Sequence, residues 1–280
     1  MTGRFRTDLA VESRENLGAG ELEGVRAEAR DLRGFRVERV DILDERGADA
    51  LCKPIGSYIT MSARALAERR PEAFADAAET LAELIRPLLS GSGGLTLVAG
   101  LGNAAMTPDA VGPLAAEYVL ATRHLKSAMP QDFAGLSPVC VVRPGVLGST
   151  GIESAELLKA ACESVHPVQV IAVDALAAAS LDRLCSTVQL SGAGIVPGSG
   201  VGNNRAEISR ESLGVPVLSL GAPTVVDAAA FSDDAAAAGM FVTPRDIDAS
   251  VRSLAKLIGY ALNLALHDGL SISDIDMLKA

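Results

Sequence analysis

Tryptophan is absent from the 280 residues, and aromatic residues make up only 3%. The core must therefore be built from Ala, Val, Leu and Ile. Histidine occurs three times, at His124, His166 and His267, in unrelated contexts, and HExxH is missing. The four cysteines (Cys52, Cys140, Cys162, Cys185) are scattered without CxxC spacing. No Cys/His pair has the spacing of zinc ligands, so neither a metal nor a cofactor is expected, and the thiols are expected reduced in a cytoplasmic protein. No apolar run approaches the ~18 residues of a membrane span, and no secretory signal precedes the first acidic residues, so no membrane association is expected. Positive charge is also scarce. With 25 Lys and Arg against 35 Asp and Glu, the net charge is -10, which argues against direct nucleic-acid binding. An acidic enzyme can still act on a protein that itself binds DNA.

What is present is a globular composition, 49% hydrophobic and 21% charged, long enough to bury a sizeable core. The chain is organised around Leu95–Pro113, LTLVAGLGNAAMTPDAVGP. An apolar run ends in glycines, an Asn and a Thr-Pro-Asp step, which predicts a buried strand, a tight turn and a helix that starts at Pro108 with Thr107 as its cap. Asp109 then falls in the first helical turn at the carboxyl end of a strand, where open α/β sheets place their chemistry. Asp174 follows the apolar run Val168–Val173 and is expected at a second such end.

The remaining elements alternate. Residues 1–34 read as a loosely held arm with a short polar helix over Gly20–Leu32. Phe35–Leu43 reads as an edge strand, Asp44–Asp49 as a turn and Cys52–Thr60 as a strand broken by Pro54. Ser62–Arg70 and Pro71–Leu89 read as helices, the second with a clear apolar stripe. Further on, helices are expected at Pro113–Lys126, Glu153–Ser164, Leu181–Cys185, Arg205–Leu213 and Pro244–His267. Strands are expected at Pro138–Arg143, Pro167–Val173, Ser186–Leu190 and Val215–Leu220. Ala228–Gly239 is Ala-rich and helical or mobile. Strands separated by helices imply one doubly wound α/β domain, with a mostly parallel sheet and helices on both faces.

Taken alone, Asp109 is also what a helix N-terminus attracts, an effect worth about 0.3–1 kcal/mol, and Asp174 is what caps the segment after a strand. Together they lie at one expected sheet edge, flanked by Ala110 and Ala175. Two carboxylates within a few Å cannot both ionise cheaply. Such a pair can act as general base and general acid, the two roles peptide hydrolysis needs. The glycine-dense loop Gly192–Asn204 is either a surface loop or a set of backbone donors for a substrate carbonyl, with Gly198, Ser199, Gly200, Gly202 and Asn203 as candidates and Asn103 opposite. Gly100–Ala105 loosely matches a dinucleotide turn, yet the helix starts late and the acidic residue expected about 20 positions on falls at Glu117, inside a helix. Gly148-Ser149-Thr150-Gly151 lacks the opening glycine of a nucleophile elbow and has no histidine base. Lys53 and Arg143 are either pairing charges or residues lining the site. His124 and His166 are read as solvated helix caps.

GLGNAAMTPDAVGP (100–113), RPGVLGSTGIESAE (143–156), VIAVDALAA (170–178), GIVPGSGVGNNR (194–205) and GAPTVVDAA (221–229) together resemble the germination protease of spore-forming bacteria. RTDLAVES near the N-terminus and LNLALHDGLSISDID near the C-terminus add to the likeness. The resemblance implies an aspartic-type endopeptidase of the cytoplasm of spore or forespore. It would degrade small acid-soluble spore proteins, be made as a zymogen and assemble as a homotetramer, with a fold like that of hydrogenase-maturation peptidases. It assigns the catalytic aspartates to Asp109 and Asp174. It also implies self-processing between Asp8 and Leu9, leaving 1–8 as propeptide and 9–280 as a single peptidase domain. The chain departs from the family pattern at Ala177-Ala178-Ala179, where an Arg is usual, and at Gly192-Ala193, where Asp-Thr is usual. The alternatives are a catalytically weakened binding homologue and, further off, a nucleotide-binding α/β enzyme.

Overall fold

Thr96–Leu101 is apolar on both of its faces, and in the computed structural model every residue of it is buried, as befits a strand covered by helices on both sides. The structure describes residues 7–18, 20–67, 73–91, 93–203, 205–231, 237 and 239–279. Within them the elements run α1 (Ala10–Glu15), β1 (Val25–Leu32), β2 (Phe35–Ile42), α2 (Glu45–Leu51), β3 (Gly56–Ser62), α3 (Arg64–Ala67), α4 (Ala73–Ile85), β4 (Thr96–Leu101) and α5 (Val111–Tyr118). There follow α6 (Arg123–Ala128), β5 (Val139–Gly145), α7 (Leu147–Thr150), α8 (Ser154–Val165), β6 (Gln169–Ala178), β7 (Thr187–Ser191), α9 (Arg210–Leu213), β8 (Val217–Asp227), β9 (Phe241–Val242), α10 (Ile247–Leu266) and α11 (Ile272–Lys279).

All the strands join one sheet in the order β1-β2-β3-β7-β8-β6-β4-β5, with β9 added to β8. The fold is α/β. The half that carries the crossovers, β8-β6-β4-β5, is parallel, and a wing of antiparallel strands, β1-β2-β3-β7, extends it beyond β8. On one face α4, α5 and α10 pack over Val98, Ile171, Val173, Leu218 and Leu220. On the other, α8 and α9 cover Leu97, Ala99, Val170 and Ala172, while α1 and α2 cover Val40, Tyr58, Leu176 and Ala178.

Several expectations are corrected. Gly20–Leu32 is not a helix: its second half is β1, whose two faces are largely exposed, so its charges give no apolar period to read. Arg33 and Gly34, both at positive φ (50° and 84°), close the β1–β2 hairpin. Phe35–Leu43 is therefore an inner strand, not an edge. Asp44–Asp49 begins α2, capped by Asp44 accepting from the Gly47 N–H at 3.1 Å. The helix expected over Pro113–Lys126 is two, because Val119 is extended and the Leu120 N–H bonds the buried Asn263 side chain at 2.8 Å. Leu181–Cys185 is turns, and only the last part of Arg205–Leu213 is helical. Much of Ala228–Gly239, together with residues 1–6 and the 68–72 junction of two expected helices, lies outside the described residues. The arm is not loose where it is described: Leu9 and Ala10 are fully buried.

Two glycines set how closely α5 lies on the sheet. A Cβ on Gly112 would fall 2.2 Å from the Leu101 carbonyl oxygen and 2.3 Å from that of Val173, and one on Gly100 would fall 2.4 Å from the Gly112 oxygen. Helix and strand backbones touch here with no side chain between them. Gly112→Ala should accordingly lower unfolding stability by about 1–3 kcal/mol or more in a urea titration; an unchanged midpoint would show that α5 is not held at this distance.

Candidate active site

The last β4–β6 pair is Gly100 with Val173, yet β6 continues to Ala178. Asp174 is thus the first β6 residue past its pairing with β4. The expectation of a strand end is corrected in this respect: Asp174 is in mid-strand, and it is the neighbouring strand that stops. By strand alternation its side chain shares a face with Ala172 and Leu176, beneath the glycine loop. It is buried, at 4% exposure.

Asp109 reaches the same place from the β4–α5 connection. Thr107–Asp109 form a short 3-10 turn, and α5 starts only at Val111. Thr107 does not cap a helix; its hydroxyl donates to Asp248 at 2.8 Å. The turn is held from three sides. The Asn103 N–H donates to Asp109 Oδ2 at 2.8 Å, and the Asp109 N–H donates to the Met106 carbonyl at 2.8 Å. Thr224 Oγ1 donates to the Pro108 carbonyl at 2.6 Å. Thr224 is free to do so because β8 slips register against β6 between the pairs Leu176–Pro223 and Ala177–Val225, leaving Thr224 as a bulge that re-aims its side chain. Gly102, at φ +107°, permits the approach, since a Cβ there would strike the Asp109 carbonyl.

Both carboxyls line one cleft of about 590 Å³. Burial, reinforced by the charge of Asp109 and more weakly by Asp8, holds the Asp174 carboxyl well above the usual range. Burial also raises Asp109, against the opposing Asn103 hydrogen bond. Both acids therefore hold a proton more tightly than a free aspartate, Asp174 the more so.

The glycine loop forms one wall. Gly198, Gly200 and Asn203 line the cleft, and Ser199 lines a second cavity of about 330 Å³. Gly202, at φ +74°, closes the 3-10 turn Ser199–Val201 and is not among the lining residues. Asn103 also lines the cleft, and its Oδ1 accepts from the Ala105 N–H at 3.0 Å. Asp8 lies between the two cavities and Leu9 is sealed in the core. Ser149 is engaged with the Val146 carbonyl at 2.9 Å, and Arg143 pairs on the surface with Glu117 at 2.6 Å. Lys53 stands by the site, donating to the Thr7 carbonyl at 3.2 Å. His166 caps the C-terminus of α8 as expected, while exposed His124 is the second residue of α6 and not a C-terminal cap. Among the described residues, no group of three or more His, Cys, Asp or Glu could hold a metal ion, no helix is long and apolar enough to cross a membrane, and no two of the four cysteines are joined.

Sequence reasoning missed Gln189 and the Ala177 N–H. Gln189 Nε2 donates to the Asp8 carbonyl at 2.9 Å, and its Oε1 accepts from the Ala10 N–H at 2.8 Å. The register places Gln189 opposite Gly221, and Gly221 opposite Asp174. Only the strand order, which joins β7 to β8, could have revealed that row.

Fold and cleft define an α/β protein with a buried and a half-buried aspartate on one cleft at the carboxyl end of its parallel strands. Residues 6–238 match the family model for germination protease. The germination protease of Caldanaerobacter subterraneus subsp. tengcongensis is 39% identical over 316 aligned residues, covering 98% of each chain. That of Clostridium tetani is 36% identical over 316, covering 97% of this chain and 98% of its own. The Bacillus cereus germination protease is 41% identical over 239 residues, which is 82% of this chain and 65% of that one. Among solved structures, a [NiFe] hydrogenase maturation protease, HycI of Thermococcus kodakarensis, shows a TM-score of 0.38 and 19% identity over 64% of this chain and 98% of its own, too distant to support a functional argument. The chain belongs to the germination protease family, and so to the proteases.

The proton on Asp174 has a cost that can be measured. An unfolded chain releases it above about pH 4, whereas the folded chain holds it to higher pH. Stability from this group therefore falls as pH rises from about 4 through the raised folded value. Asp174→Asn removes that dependence. The variant should melt at higher temperature than the parent at pH 8, by roughly 2–4 °C per kcal/mol, and the gap should close on acidification toward pH 4. A gap independent of pH would show that Asp174 titrates normally.

Proposed function

We propose that the chain is an endopeptidase that hydrolyses small acid-soluble spore proteins at an acidic–apolar bond, with Asp109 and Asp174 activating water. The observation that carries this reading is the pair itself: two carboxyls with raised proton affinity on one cleft that also takes in the chain's own Asp8. Asp109, the more accessible, serves as base and takes a proton from water. Asp174 hydrogen-bonds the substrate carbonyl and gives it a proton as the water oxygen adds. When the C–N bond breaks, the proton gathered by Asp109 passes to the departing amine, and the carbonyl proton returns to the pair. The Gly198–Asn203 wall supports the substrate backbone. The same acidic–apolar rule reads on Asp8–Leu9, so the chain is synthesised as a zymogen that processes itself there. Family likeness supports a homotetramer acting in the spore cytoplasm.

Incubation with a small acid-soluble spore protein, followed by mass spectrometry, tests the activity. Cleavage should follow acidic residues, and Asp109→Asn or Asp174→Asn should each reduce it by about 10²–10⁴-fold while leaving the fold intact. Full activity in Asp109→Asn removes that residue from the mechanism, and binding without cleavage by the parent favours a scaffold. Because both acids are displaced upward, the acid limb of kcat/KM should lie above the ordinary carboxylate value of about 4. Mass analysis of the acidified protein should show loss of the first eight residues; an intact N-terminus in an active preparation rejects self-processing.

A further inference from the structure

Asp8, like the buried Glu12, is held at both carboxylate oxygens, but unlike Glu12 it borders the two cavities. Ser199 Oγ donates to its Oδ1 at 2.7 Å and the Ala177 N–H donates to its Oδ2 at 2.8 Å. Its own N–H donates to the Ala177 carbonyl at 2.9 Å, so one residue of β6 grips both backbone and side chain. A Cβ on Gly200 would fall 2.0 Å from Asp8 Oδ2 and 2.6 Å from Ala177 Cβ, so the carboxylate occupies space that any other residue at 200 would fill. The ammonium of Lys53, bonded to the Thr7 carbonyl, adds positive charge that acts on Asp8. Each carboxylate oxygen thus has its own donor, a cation stands beside the carboxylate, and the recess opens on both cavities.

We propose that this recess, formed by Ser199 Oγ, the Ala177 N–H, the bare Cα of Gly200 and the charge of Lys53, is the subsite that selects an acidic side chain in the substrate, and that Asp8 fills it in competition. The inference rests on the protease reading and adds the groups that set its specificity. A carboxylate satisfies both donors as an acceptor. A carboxamide can keep the Ala177 N–H on its oxygen, but it must turn the Ser199 hydroxyl round to accept from its NH₂, and it loses the attraction of Lys53. The recess thus relies on Lys53 and neutral donors.

The test uses the full chain carrying Asp8→Ala, which vacates the recess, and two blocked peptides, Thr-Asp-Leu-Ala-Val-Glu and its counterpart with Asn for Asp. Binding is followed by calorimetry and cleavage by mass spectrometry. The Asp peptide should bind, and be cut, about tenfold better or more than the Asn peptide, as expected for hydrogen bonds to a charged group. Adding Ser199→Ala or Lys53→Met should reduce the discrimination to about twofold, with binding of the Asn peptide little changed. Adding Gly200→Ala should weaken the Asp peptide most. Melting curves identify any variant that fails to fold, and Lys53→Met, lying off the loop, serves where a loop variant does. Equal treatment of the two peptides, or discrimination that survives both Ser199→Ala and Lys53→Met, overturns the subsite. Tighter binding of the Asp peptide without hydrolysis of either leaves the subsite standing and overturns the protease reading.

Discussion

The site depends on a mismatch in strand length. β4 stops at Leu101 while β6 runs on to Ala178, and Asp174 occupies the first position past the step. In mid-sheet a carboxylate would need a partner to repay its lost hydration. At the step it borders a cleft, and the turn that carries Asp109 fills part of the space β4 vacates. The backbone contact of Gly112 with Leu101 and Val173 fixes how far that turn can move. Desolvation and the nearby like charge then act together to raise the proton affinity of Asp174, against the Ala175 N–H that donates to its Oδ1 at 2.9 Å.

The turn carrying Asp109 is held from its own loop and from two distant parts of the chain. Asn103 comes from its own loop, Thr224 from a β8 bulge and Asp248 from the start of α10. None of them needs to touch substrate. Their effect is to keep an otherwise unstable two-carboxylate arrangement from relaxing, since a modest outward swing of Asp109 would relieve its repulsion with Asp174. Preorganisation of this kind places the energetic cost in folding, before any substrate arrives.

Much of this was legible in the sequence, and the failures have physical causes. The parallel core was readable because β4 and β6 are apolar on both faces and flanked by helices with apolar stripes. Asp109 was readable because Thr-Pro-Asp after a glycine pair marks a sharp strand-to-helix turn. β1 was not, because at the sheet edge with both faces wet it has no period to detect, and its charges imitate a polar helix. The extension of β6 was not, because three of the four residues Ala175–Ala178 are alanine, which carries no strong β preference; they become strand through pairing with β8. Gln189 could not be found without the strand order. The buried N-terminal segment was misread because its anchor is an acid: Glu12 is 2% exposed, accepting from the Ala179 and Ser180 N–H groups and from the Thr7 hydroxyl, with Arg183 at 4.0 Å. Nothing local in TDLAVESRE shows that these partners exist.

The anchors of that segment are divided unequally about the Asp8–Leu9 bond. On the C-terminal side lie the buried Leu9, the Ala10 N–H on Gln189, the Glu12 cluster, and Arg183 tying Glu15 at 2.6 Å to Glu38 at 3.2 Å. On the N-terminal side the described residues are held chiefly by the carboxylate of Asp8, its backbone bond to Ala177, the Gln189 contact to its carbonyl and the Lys53 contact to Thr7. A break at that bond would leave Leu9 and α1 packed beneath the antiparallel wing. Only the part that occupies the recess would be released, because its remaining contacts are few, polar and open to water. The contacts are thus apolar and deep on the Leu9 side and polar on the Thr7–Asp8 side, and the Thr7 hydroxyl, which donates to Glu12 and accepts from the Leu9 N–H at 3.0 Å, ties the two together.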